Sequence, residues 1–161
     1  MTTSTHAPPH TLSGRALTIN FVAGLTLVVQ FLLGMAVNLF VVIPAHHPGA
    51  KASNFFAGVG SAIVWAIPHG AIWLALHVLL GLVLVVASLA NLALAPRLAS
   101  KPYTATATIA ALAIIGAAFN GASFVNYGHD FSSMLMAGLW ALALSCYLTC
   151  GYLAARLPPA N

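Results

Sequence analysis

Acidic side chains are almost missing from this chain: among 161 residues there is one, Asp130. A single carboxylate excludes the paired-acid chemistry of glycoside hydrolysis. Charge of either sign is scarce, at 4% of residues, against ~25% in an ordinary soluble domain. The basic residues are dispersed, so no clustered Lys/Arg face exists and no nucleic-acid partner is expected. Cysteine is limited to Cys146 and Cys150, which lack the spacing of a C-x-x-C motif. Four-residue helical spacing aligns their Cβ vectors poorly for a disulfide, so both read as small core residues. There is no P-loop and no G-x-S-x-G.

What the chain has instead is hydrocarbon. Hydrophobic residues make up 61% of it, and they fall into long runs. A membrane span needs ~20 apolar residues. Four runs meet that length, at about 16–43, 70–95, 104–124 and 131–154. Lipid offers backbone groups no water partner, so each run is expected to be a helix. The expected fold is therefore all-α: an integral membrane four-helix bundle over residues 15–157, with the lipid bilayer as its first partner. Residues 1–14, rich in Ser, Thr and Pro, are expected to form a disordered tail. The first run is too long for the h-region of a cleaved signal and reads as a span.

Four spans place both termini on one side. Arg15, Arg97, Lys101 and Arg156 fall on that side, and only Lys51 falls on the other. The positive-inside rule then puts both termini in the cytoplasm of a cell with its inner (plasma) membrane as host. The segment 44–69 becomes an extracytoplasmic loop. It opens as a turn through Pro44, Pro48 and Gly49. Its apolar half, Phe55 to Ile67, is too short to span and is expected to be partly ordered, lying in the interface or folding over the bundle mouth. Pro68 is expected in the first turn of the second span, and Asp130 as the N-cap of the fourth.

Ionisable groups near membrane depth are the first candidates for function. In this topology His46, His47, His69 and His129 lie at the outer end with Asp130, Asn54, Asn120 and Asn126, whereas His6 and His10 lie in the inner tail. His77 sits ~10 Å inside the second span, at 1.5 Å per residue from Gly70. His69, Trp73, His77 and Gly81 recur every four residues and would share one helix face. Gln30, Gly34 and Asn38 repeat in the same way in the first span, and Gly116 and Asn120 in the third. Small residues and amides at that spacing suit close helix packing with amides bonding across.

The run HVLLGLVLVVASLANL, His77 to Leu92, resembles the haem-bearing helix of bacterial b-type cytochromes of the b561 kind. That resemblance implies haem b as cofactor and His77 as an iron ligand. It gives Gly81 the role of letting the porphyrin approach the backbone. No other span carries an interior His, so a second ligand would come from His129, or from His46 or His47. The plainer reading of His77 is a hydrogen bond to a neighbouring helix, for instance to Asn38 or Asn120. A metal reading is also open: imidazole suits zinc and copper, and His46, His47, His77, His129 and Asp130 could contribute, with Met35 and Met134 as soft thioethers. Over most of its length, through VVQFLLGMAVNLFVVIPAHHPG and AAFNGASFVNYGHD, the chain is similar to actinobacterial four-span membrane proteins of uncharacterised families, which implies the fold and no activity.

Three functions are therefore expected to compete. The first is a small membrane redox protein or haem b-binding subunit of an electron-transfer complex. The second is a non-catalytic accessory or scaffold subunit of a membrane assembly, paired with other membrane subunits or with itself. The third is a metal-handling protein of the outer face.

Overall fold

The computed structural model describes residues 12–157, and they are built from helices. α1 spans Leu12–Phe40, α2 Phe55–His69, α3 Ile72–Leu94, α4 Lys101–Tyr127 and α5 Asp130–Ala155. A 3-10 turn, Ala95–Leu98, links α3 to α4. The four helices other than α2 are long and apolar enough to cross a membrane, as suits a multi-pass membrane protein. They form a ring in which α1 touches α3 and α5, and α4 touches α3 and α5. α1 and α4 are therefore diagonal partners.

Three packed layers fix the direction of each helix. At the end nearest the termini, Ala16, Ala95, Tyr103, Ala107, Cys150 and Ala154 pack together. The middle layer holds Ala23, Leu27, Leu84, Ala110, Ile114, Ala143 and Tyr147. At the opposite, loop end, Val37, Ala66 and Leu74 meet. Alanine is the commonest buried residue, and small side chains let helix backbones approach closely. The bulky residues point outward: Phe21, Leu32, Leu39, Val86, Leu112 and Leu148 are all exposed. Exposed hydroxyls are turned inward on their own helices, as where Thr26 Oγ1 donates to Val22 O at 2.8 Å and Thr149 Oγ1 to Ser145 O at 2.8 Å. These hydroxyls thus reach the outer surface already bonded. Arg15, Arg97, Lys101 and Arg156 lie at the terminal end and Lys51 at the loop end.

The apolar half of the long connection is a helix. Asn54 caps α2 by accepting from Ala57 N at 3.0 Å. Gly58, Ala62 and Ala66, four apart, form its buried face, and α2 lies against α3 and α4.

Several sequence expectations need correction. α1 already includes Leu12, Ser13 and Gly14, which were expected in the tail. Residues 1–11, with His6 and His10, lie outside the described residues. α1 stops at Phe40 rather than at 43, because the residue before Pro44 is pushed out of the helical region. Pro68 lies in the last turn of α2, not the first turn of the next span; a break at Gly70, with extended backbone (φ −71°, ψ 159°), separates the two helices. That break also removes His69 from the α3 stripe. Asp130 is the first residue of α5, and His129 takes the N-cap position without a side-chain cap. The carboxylate still faces the positive end of the helix dipole.

Candidate functional site

Polar side chains gather at three levels. The deepest group is at the terminal end and was not picked out from the sequence. Asn20 Nδ2 donates to Tyr103 Oη at 2.7 Å, Tyr103 Oη donates to Asn91 Oδ1 at 2.9 Å, and Asn91 Nδ2 donates to Asn20 Oδ1 at 3.4 Å. The triangle ties α1, α3 and α4 together. Its members are 2%, 0% and 1% exposed for Asn20, Tyr103 and Asn91. Asn20 also donates to Ala16 O at 2.7 Å. The signal in the sequence was partial: Asn20 and Asn91 each lie four residues inside the terminal end of their runs, and Tyr103 lies just before the run that starts at 104. Cys150, free and buried beside this group, directs its Sγ at Tyr103 O at 3.9 Å, and Cys146 is buried one turn away.

The middle level is the α1–α3 contact around His77. Gln30 Nε2 donates to His77 O at 3.0 Å and lies 3.3 Å from His77 Nε2. The amide NH2 has two hydrogens, so both contacts are met when Nε2 of His77 is the unprotonated nitrogen. His77 Nδ1 and Gln30 Oε1 are then left buried without a partner. The ring of His77 lies on Gly34, whose added Cβ would be 3.1 Å from Cε1. Gly81 faces the Gln30 amide, 3.3 Å from where its Cβ would stand. The partner of His77 is thus Gln30, not Asn38 or Asn120. Asn120 turns back to Gly116 O on its own helix at 2.8 Å.

The loop end holds the remaining candidates. The stretch 43–52 is clasped to the last turn of α4: Lys51 N donates to Asn126 O at 3.0 Å, Tyr127 Oη to Ala52 O at 2.8 Å, and His47 Nε2 lies 3.2 Å from Val125 O. His47 Nδ1 lies 3.0 Å from Pro48 O, and its ring stacks on Trp65 of α2 with centroids 4.6 Å apart. Both nitrogens of His47 therefore face carbonyl oxygens; the imidazolium form donates to both, the neutral form to one. Beneath the clasp is a cavity of about 310 Å³ between the ends of α1 and α4. Val37, Val41, Ile43 and Phe124 give it an apolar wall, and Asn38, His47, Lys51 and Asn126 give it a polar one. Asn126 is 3% exposed, and both atoms of its amide lack a partner.

The expected metal and haem residues are dispersed across these levels. His46, His129 and Asp130 are exposed, and His129 stacks loosely on Tyr127 at 6.1 Å. Met35 and Met134 are also exposed. Among the described residues, no three His, Cys, Asp or Glu side chains come together as a metal site. A six-coordinate haem needs two imidazole nitrogens facing one interior space. Here His77 Nε2 meets Gln30, His47 meets two carbonyls, and Gly81 seats an amide. As packed, these residues do not fit a bis-histidine haem. Compared with known protein families, curated proteins and solved structures, the chain matches none.

Proposed function

We propose that this chain is a non-catalytic accessory subunit of a membrane assembly, resident in the plasma membrane with both termini in the cytoplasm. The carrying observation is on α5. Its inner face uses small residues, Ala143, Cys146, Cys150 and Ala154, to pack the bundle. Its outer face repeats that pattern: Ala137, Ala141, Ser145 and Thr149, four apart, are all exposed. The hydroxyls of Ser145 and Thr149 are bonded to Ala141 O at 2.9 Å and Ser145 O at 2.8 Å, so the stripe is smooth and nearly apolar. Small-xxx-small faces are the surfaces on which transmembrane helices associate. Exposed bulky residues such as Met134, Leu142 and Leu148 flank the stripe on α5, while the outer sides of α1 and α3 carry bulky Phe21, Leu25, Leu32, Val83 and Val86. A transmembrane helix of another subunit is the occupant that suits α5.

A photo-crosslinker placed at position 141 should join the chain to a discrete membrane protein in native membranes, and one at Val83 should not. Adducts to lipid alone from both positions would overturn the reading. So would a purified protein with a Soret band that His77→Ala abolishes, which would replace it with the haem-bearing electron-transfer reading. The orientation rests on four basic residues at one end and one at the other. A reporter fused after Asn161 should behave as a cytoplasmic marker; activity of a periplasm-dependent reporter there would reverse it.

A further inference from the structure

We infer that the loop-end cavity binds the acidic head of an amphiphile, with Lys51 and the amides of Asn38 and Asn126 on the anion and the aliphatic wall against its chain. The inference starts from Asn126. A buried amide whose oxygen and nitrogen both lack partners is costly, and this one lines a cavity rather than a packed core. A hydrogen-bond acceptor there would satisfy its nitrogen. Asn126 Nδ2 also lies 3.3 Å from the Cβ position of Gly58 on α2, so the amide borders both the cavity and that helix.

The second observation is charge. Lys51 lines the same cavity and is exposed, and the chain has one acid in total with which any cation could pair. Its backbone is held at φ +52°, in the left-handed region that a side chain seldom adopts. The bond from Lys51 N to Asn126 O keeps the two residues together. His47 is fixed at the rim of the same cavity by its contacts with Pro48 O and Val125 O. The wall supplied by Val37, Val41, Ile43 and Phe124 is aliphatic and aromatic. A cavity of about 310 Å³ is at the small end of ligand pockets, which run from ~300 to 1,000 Å³. It has room for a headgroup and the first carbons of a chain. The ligand chemistry is therefore an oxyanion, phosphate or carboxylate, joined to hydrocarbon.

Native mass spectrometry of the full chain in detergent tests this with phosphatidylglycerol, phosphatidylcholine of the same acyl chains, and inorganic phosphate. Phosphatidylglycerol should be retained preferentially, by about fivefold or more, the weight of one lysine at an anionic surface. Lys51→Gln should remove that preference and Lys51→Arg should restore it. Lys101→Gln, at the other end of the bundle, should leave it unchanged. Asn38→Ala, at an exposed position, should weaken retention without altering thermal unfolding. Displacement by millimolar inorganic phosphate, with the same dependence on Lys51, would identify a free anion as the source and uphold the site. Equal retention of the two lipids together with no phosphate binding would overturn the inference and leave the cavity to water. So would a Lys51→Gln protein that folds and binds like the parent.

Discussion

Replacing Gly49 by leucine should detach α2 from the bundle while leaving the four long helices assembled. Gly49 sits at φ +95°, where an L side chain is strained. The space is closed as well: a Cβ there would stand 2.4 Å from Gly58 O and 3.0 Å from Ala62 N, both backbone atoms of α2. Neither can yield as a flexible side chain would, so the helix must move away. Hydrogen exchange in nanodiscs should report the change as faster exchange across residues 55–69, by roughly 100-fold or more if opening becomes easier by about 2.7 kcal/mol. Gly60 provides the control. It is on the same helix with nothing within 4 Å of its Cβ position, and Gly60→Leu should exchange like the parent. Unchanged protection of α2 in Gly49→Leu would show that the loop does not hold the helix.

Tyr103→Ala should be the most destabilising single change in the long helices. The side chain is fully buried where α1, α3 and α4 meet. Truncating a buried aromatic costs about 3–5 kcal/mol from lost contacts and the cavity left behind. Tyr103→Phe keeps the ring and removes the hydroxyl. Asn20 Nδ2 then retains Ala16 O, while Asn91 Oδ1 loses its donor. Single hydrogen bonds between membrane helices are worth about 0.6–1.7 kcal/mol, so the phenylalanine variant should lose only that much. Reversible unfolding in bicelles separates the two. Equal losses would mean that the triangle, not the packing, holds the terminal end together.

The fold was legible because hydrocarbon runs of this length have one solution in lipid. Connection lengths did the rest: a short APRLAS between α3 and α4, and Gly128–His129 between α4 and α5, force neighbouring helices. Helix limits were harder, since hydropathy runs on past Phe40 to Ile43, where Pro44 disfavours helix. The site was legible only in composition. Gln30, Gly34, His77 and Gly81 stood out as polar or small residues at four-residue spacing. Spacing shows which residues share a face but not what lies opposite. The α1–α3 pairing placed Gln30 on Gly81 and His77 on Gly34. Asn20, Asn91 and Tyr103 escaped notice for the same reason. Asn20 and Asn91 are unremarkable in their runs, Tyr103 lies just before one, and their meeting depends on the order of helices around the ring.

That ring order bears on synthesis. Among the described helices α1 is made before the others, and its two neighbours in the ring are α3 and α5. The contact with α3 can form midway through translation. The contact with α5 waits for that later helix, including the 2.8 Å bond from Trp140 Nε1 to Leu27 O and the packing of Phe31 on Trp140. Until residue 155 has entered the membrane, one flank of α1 is unmatched. A ribosome that stalls before α5 would leave α1, α3 and α4 with an open seam along that flank of α1.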